Sequence, residues 1–438
     1  MIDSKKFFFQ KKILIYGLGK TGISSYFFLK KNNKVYLFDD NAKKLKKFKR
    51  KKVLINQKKI DEYNFDFILV SPGININKCD LKYFIKKNKN KVITDLDIFY
   101  FQNYKNISIS ITGTNGKSTT TKILFDILKD QKKDVRLVGN IGNAILNEKK
   151  VTKKTIFIIE ASSYQIEYSR FFKTNYAAIL NISPDHLERH RNIDNYVKAK
   201  FKLIRNQSYK DFSFLNTKNN YLKNLLSKNK LKSKIIDVNE KLFVNEIDKI
   251  KNPYFFTNGN KENLRFVFSI LEKFGLKRKN LIKTINNFCG LKFRQQIIYN
   301  TKKLKVINDS KATSFSSSIN ILKSLKKAYW LVGGIPKSGD KFFMTKKQCQ
   351  NFKAYIYGKY RNIFVKKLKS KVKYECFKNL QNALEKIILD IKFEKNQTNN
   401  IILFSPSASS FDLYKNFEDR GKKFDQLFKK LYLKKLHE

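Results

Sequence analysis

Three strand-to-loop-to-helix starts divide this chain, each a short apolar run that ends in a polar or glycine-bearing loop. Lys12–Tyr16 leads into Gly17, Gly19 and Gly22, followed by a helix through Leu29. Ile107–Thr112 leads into Gly113, Thr114, Asn115, Gly116, Lys117, Ser118 and Thr119, with helical spacing over Thr119–Leu128. Lys305–Ile307 meets Asn308, Asp309, Ser310 and Lys311. Strands that alternate with helices are joined by crossovers, which impose a parallel sheet and place ligands at the strands' carboxyl ends. The expected fold class is therefore α/β, with boundaries near residues 103 and 297.

Further strands fit this plan. Lys34–Phe38 ends at Asp39 and Asp40, and Phe65–Val70 opens into Ser71, Pro72 and Gly73. Thr155–Ile159 ends at Glu160, and Ala177–Asn181 runs toward Asp185 and His186. Tyr329–Val332 precedes Gly333 and Gly334, and Asn400–Phe404 precedes Ser405 and Pro406. The Lys- and Asn-rich stretch 216–252 gives no clear pattern.

A net charge of +57 points at first to nucleic acid or an anionic membrane. Yet only 11 of the 93 cations are arginine, the residue that reads phosphates and bases in bidentate fashion. The lysines are spread along nearly the whole chain beside Asn, Ile, Phe and Tyr, which reads as a compositional bias toward AT-rich codons. No nucleic-acid partner is expected. Cys79, Cys289, Cys349 and Cys376 lie far apart, which excludes a disulfide scaffold and a thiolate zinc site. Of three histidines, His437 is at the tail, leaving His186 and His190 for chemistry. No apolar run approaches the roughly 18 residues of a spanning helix, and Met1–Lys12 lacks an export core. The expectation is a cytoplasmic protein. The basic, amphipathic Lys422–Leu436 reads as a closing helix packed on its own domain, with a membrane-surface helix as the alternative.

Gly17, Gly19 and Gly22, with Asp39 about 20 residues on, fit the dinucleotide fingerprint. NAD or FAD, a UDP-sugar and a merely tight turn all remain open. The Gly113–Ser118 loop is a shortened P-loop: its amides cradle phosphates, Lys117 reaches the β/γ-phosphates, and Ser118 offers a hydroxyl to Mg²⁺. ATP binding follows. Glu160, at the end of an apolar strand, suits a cation, and Asp185 and His186 offer a further hard-cation or phosphate contact; a salt-bridged strand end and a loop histidine are the plainer alternatives. Lys198 and Lys200 lie on a helical pattern, Tyr196–Ile204, where a solvated face is the default. Arg294 offers a planar fork to a phosphate or to a surface ion pair.

Taken together these residues resemble the Mur ligase family, ATP-dependent amide-forming enzymes of peptidoglycan precursor synthesis. The widely shared motifs are the shortened P-loop, Asn140 to Gly142, Glu160 to Gln165, and Asn181 through Asp185, His186, Arg189 and His190. More specific are Gly17–Gly22, Ser71–Ile74, Asn308–Thr313, and the long signature from Ser405 through Ser410, Asn416, Phe417, Arg420 and Gly421.

The resemblance implies three domains: a Rossmann-like domain over 1–103, a P-loop ATPase-type domain over 104–296, and a second Rossmann-like domain over 297–438. It implies a monomer that adds D-glutamate to UDP-N-acetylmuramoyl-L-alanine, using ATP and Mg²⁺. The UDP-substrate would meet Gly17, Gly19, Lys20, Thr21, Gly22, Asp39, Ser71, Pro72, Gly73 and Asn140. ATP would meet Gly113–Thr119, Arg294 and Asp309. Lys117, Glu160, His186 and Lys200 are the implied catalytic set. Metal would be held by Ser118, Glu160, His186 and Lys200 as a carbamate; register favours Lys200 over Lys198 because it follows Ala199. Lys311, Thr313, Lys337, Ser410 and Phe417 would hold the incoming amino acid. This chain departs from the family at Ala161, Glu188 and Ile335-Pro336, where a polar residue usually follows the glycine pair.

Overall fold

A computed structural model describes residues 6–48, 53–276, 278–394 and 399–433. His437 and the end of the expected Lys422–Leu436 helix lie outside them, as does the start of Met1–Lys12. The chain forms two compact units. The first comprises Met1–Ile182, Arg189–Phe243 and Arg265–Thr284; the second comprises Ser183–Glu188, Val244–Leu264 and Ile285–Glu438.

Two sheets belong to the first unit. One has the order β2-β1-β3-β4 and is parallel throughout, built from β1 (Lys12–Tyr16), β2 (Lys34–Phe38), β3 (Phe67–Val70) and β4 (Val92–Ile93). The other, also parallel, has the order β10-β9-β8-β5-β7-β6, built from β5 (Ser108–Thr112), β6 (Val135–Gly139), β7 (Ile156–Glu160), β8 (Tyr176–Ile179), β9 (Phe212–Leu215) and β10 (Lys234–Asp237). Every residue of β5 and β7 is buried, as expected for strands covered on both faces.

The second unit holds a sheet ordered β11-β12-β16-β13-β14-β15. Its strands are β11 (Gln296–Asn300), β12 (Leu304–Asn308), β13 (Ala328–Gly333), β14 (Phe352–Tyr357), β15 (Lys373–Phe377) and β16 (Asn400–Phe404), with only β11 antiparallel.

Helix α1 (Lys20–Leu29) follows β1, α2 (Lys117–Asp130) follows β5, α3 (Ile193–Arg205) follows β8, and α4 (Phe417–Phe428) follows β16. The α4 helix begins at Phe417, ahead of the expected Lys422, because the Asn416 side chain accepts from the Asp419 amide and caps it. Phe424, Leu427 and Phe428 are buried in the core of the third sheet, so α4 closes its own unit. Each contributes about 2 kcal/mol of apolar burial.

The turn from β1 to α1 leaves no room for a side chain at Gly22. A Cβ there would stand 1.9 Å from the Gly17 carbonyl oxygen and 2.9 Å from Ser71 Oγ. Overpacking against backbone costs about 1–3 kcal/mol, so Gly22→Ala is expected to lower the thermal midpoint by about 5 °C. A calorimetric midpoint unchanged from the parent would refute that close approach.

Candidate functional site

The loops singled out in the sequence all follow the carboxyl ends of strands, where parallel sheets place ligands. After β5 the chain turns through Gly113 (φ +151°) and Gly116 (φ +86°) into α2. Asn181, just beyond β8, holds this loop from outside: its carbonyl accepts from the Thr114 amide and its Oδ1 from the Asn115 amide, both at 2.9 Å. Lys117 Nζ donates to the Gly113 and Thr114 carbonyls at 2.8 and 2.9 Å. Lys200 Nζ reaches the same Gly113 carbonyl at 2.8 Å, and the Tyr196 ring lies under it at 4.6 Å. Thr114 Oγ1 and Tyr196 OH complete the contact at 3.1 Å. Two lysine side chains therefore converge on one phosphate-type loop.

Lys198 and Lys200 face apart. Lys200 is 1 % exposed, whereas Lys198 is exposed and lines a recess of about 470 Å³ with Arg189, Lys202 and Arg205. At its floor Arg189 pairs with Glu167 (3.1 Å), and Lys202 donates to the Glu167 carbonyl (2.5 Å). These two cations are already occupied in holding the chain together.

Glu160 ends β7 with 1 % exposure. Asn140 Nδ2 donates to its Oε1 at 2.6 Å, and the Asn140 amide donates to its carbonyl at 2.9 Å. Its Oε2 is buried with no hydrogen-bond partner among the described residues. A buried carboxyl oxygen without a donor is costly, and a hard cation removes that cost. Ser118, 2 % exposed in the first turn of α2, adds a hydroxyl of the kind P-loops offer to Mg²⁺. Among the described residues no three His, Cys, Asp or Glu side chains gather as a metal centre. That is compatible with Mg²⁺, which commonly takes one or two protein ligands and completes its shell with phosphates and water.

In the first sheet, Ser71 Oγ donates to the Gly17 carbonyl at 2.6 Å, joining the loops after β1 and β3. Asp39 is buried; its Oδ2 accepts from the Leu18 amide (2.6 Å) and Lys44 (3.1 Å), and its Oδ1 from the Asn41 amide (2.9 Å). It braces the glycine loop from within. Lys20 Nζ donates to the Gly142 carbonyl at 3.1 Å, linking the loop after β1 to the turn after β6. Gly19 and Gly73 have open space where a side chain would project; Pro72 lies beside Gly73 in the loop after β3, and Thr21 is the second residue of α1.

His186 belongs to the second unit, in a left-handed conformation (φ +55°). Its ring nitrogens lie 3.5 Å from the Asp185 and Glu188 carboxylates. The hydrogen bond with His186 is the main cause holding the Glu188 carboxyl below its ordinary range. Lys337 Nζ donates to Asp185 Oδ1 at 2.5 Å. The Ile335 and Ser409 backbones exchange two hydrogen bonds of 2.9 Å, so the loop carrying Ile335-Pro336 is pinned independently of its side chains. Asp309 is buried, accepts from the Gln295 amide (3.1 Å) and Ser405 Oγ (3.0 Å), and burial pushes its pKa up to about 7. Phe417 lies 4.1 Å from the Lys311 ammonium and 6.0 Å from the Arg294 guanidinium, measured to the ring centroid. Ser410 is buried, Thr313 half-buried in the loop after β12.

Residues 111–272 match the Mur ligase middle domain, and residues 11–93 match the N-terminal domain described as Mur ligase MurD-like. The UDP-N-acetylmuramoylalanine–D-glutamate ligase of Rickettsia bellii is 32 % identical over 97 % of this chain and 98 % of its own length. The enzyme of that name from Rickettsia felis is 33 % identical, with 96 % and 97 % covered. Among solved structures, the UDP-N-acetylmuramate-alanine ligase of Thermotoga maritima aligns with a TM-score of 0.55 at 18 % identity, covering 95 % of this chain and 99 % of that one. A MurF ligase from the same organism, in complex with ADP, aligns with a TM-score of 0.57 at 13 % identity, covering 98 % and 97 %. At such identities the structures bear on the fold, which is that of a multi-domain α/β ligase; the near-full-length sequence identity bears on ancestry. By that identity and by the two matched domains, this chain belongs to the Mur ligase family.

Proposed function

We propose that the chain is an ATP-dependent ligase that adds D-glutamate to UDP-N-acetylmuramoyl-L-alanine, acting as a monomer in the cytoplasm during peptidoglycan precursor synthesis. The observation that carries this is the 32 % identity to ligases of that name over nearly the full length of both chains.

Residues 1–103 hold the UDP moiety in the Gly17–Gly22 and Ser71–Gly73 loops, with Asp39 keeping the first loop in shape. Residues 104–296 bind ATP over Gly113–Thr119, and 297–438 take the amino acid through Lys311, Thr313, Lys337, Ser410 and Phe417. Arg294 and Asp309 serve the nucleotide. Glu160 and Ser118 would hold Mg²⁺, with Lys200 as a carbamate; bound there, the ion would offset negative charge building on the phosphoryl group. Asn140 orients Glu160 while lying beside the substrate.

Lys117 steers the γ-phosphoryl group of ATP onto the alanyl carboxylate, giving an acyl phosphate and releasing ADP. The amine of glutamate then attacks that carbonyl, and phosphate leaves as the amide forms. Water must be excluded while the acyl phosphate exists.

Phosphate release from ATP, measured with UDP-N-acetylmuramoyl-L-alanine and D-Glu, L-Glu, D-Asp or no amino acid, tests this reading. Release that depends on D-Glu and falls at least about tenfold with the others is the expected result. Release independent of any amino acid would overturn it.

A further inference from the structure

Arg420 is one of 11 arginines in a lysine-rich chain, and its side chain is completely buried. Among the described residues no carboxylate bonds to it. Nε donates to Ser310 Oγ at 3.1 Å and Nη2 to the Ser310 carbonyl at 2.7 Å, while Nη1 is buried without a hydrogen-bond partner. A buried guanidinium without a paired anion is expensive for stability alone. Its position suggests what that cost secures.

Ser310 separates Asp309 from Lys311 in the loop after β12. Its Oγ donates onward to the Phe417 carbonyl at 2.8 Å, and its amide donates to Asn308 Oδ1 at 3.1 Å. Asn308 Nδ2 in turn donates to the Gly421 carbonyl (3.0 Å) and to Asp425 Oδ1 (2.7 Å). The loop after β12 and the first turns of α4 are thus one hydrogen-bonded piece with Arg420 at its centre. The third loop arrives from β13: a Cβ on Gly334 (φ +119°) would stand 3.0 Å from Arg420 Nη1 and 2.4 Å from the Ser409 carbonyl oxygen. The Ser409 carbonyl leaves no room for a side chain at this position, and the bare glycine lies against the guanidinium. The three loops meeting here carry Lys311 and Thr313, Lys337, and Ser410 with Phe417.

We propose that Arg420 is the positioning residue of the amino-acid subsite, clamping Ser310 so that Lys311 and Phe417 keep a fixed relation to the Gly334 loop. It acts through these neighbours and does not touch substrate. The proposal rests on the function assigned above. A planar fork suits the task, because two acceptors of one residue are held at once; a lysine can satisfy one but not both in the same geometry. Loosening a subsite by a fraction of an ångström is expected to appear in the binding of the one substrate it holds.

The test measures initial rates for the full-length wild type, Arg420→Lys and Ser310→Ala at saturating ATP, varying the amino acid and the UDP-substrate separately, with thermal midpoints recorded alongside. The expected result is a KM for D-glutamate raised about tenfold in Arg420→Lys and about threefold in Ser310→Ala, with the UDP-substrate KM within twofold. Ser310→Ala keeps the arginine and guards against a variant that fails to fold. An unchanged glutamate KM in folded variants, or equal rises for both substrates, would overturn the proposal. A wild type that releases phosphate without regard to amino acid would defeat the underlying function as well.

Discussion

Lys117→Ala is expected to lower kcat by about 10²–10³-fold while the dissociation constant for the UDP-substrate moves less than twofold. The magnitude is that of removing one preorganised donor from a site of developing charge. The selectivity follows from placement. Lys117 Nζ rests on the Gly113 and Thr114 carbonyls at the mouth of the P-loop, whereas the loops proposed for the UDP moiety follow β1 and β3 of a different sheet. Lys117→Met controls for the packing of the aliphatic stem and should lose as much activity as the alanine variant. Steady-state phosphate release supplies kcat, and calorimetric titration with the UDP-substrate supplies the dissociation constant. A Lys117→Ala enzyme with the parental rate would remove the P-loop from the mechanism.

How legible this site was in the sequence depends on how local its parts are. β1, β2 and β16 begin and end where the apolar runs do, because each is flanked by Lys, Asn, Gly, Asp or Ser that cannot extend it. The helix after the P-loop begins at Lys117, two residues before the apolar spacing shows it, since Gly116 in a left-handed turn sets its start. Lys198 and Lys200 illustrate the limit. Composition treats them alike, but two residues on a helix are about 200° apart, and only the fold shows that Lys200 is on the buried side. Asn181 supports the P-loop from 66 residues away, and Arg420 reaches Ser310 from 110 residues away. No periodicity carries such pairings. Asp39 matched a nucleotide fingerprint by spacing, and the fold spends its oxygens on the Leu18 and Asn41 amides. Spacing alone places a carboxylate at the loop without saying which way it faces.

Glu160→Gln is expected to separate the catalytic role of that carboxylate from its structural cost. The amide keeps the side chain's shape, and its oxygen can still accept the 2.6 Å hydrogen bond from Asn140. What changes is the second position, where Oε2 is buried without a partner among the described residues. Without divalent cations the wild type leaves that oxygen without a donor and the variant puts an amide N–H₂ there without an acceptor, so the two midpoints should agree within about 3 °C. Adding Mg²⁺ with ATP should raise the midpoint of the wild type above that of the variant, because a cation bound to the folded state stabilises only the protein that can ligate it. Activity should fall about 10²–10³-fold, the loss of roughly 3–4 kcal/mol of transition-state stabilisation. Titration with Mn²⁺, followed by its electron paramagnetic resonance signal, reads the site independently of turnover. If Glu160→Gln bound Mn²⁺ as tightly as the parent, the orphaned oxygen would have to be explained without a metal.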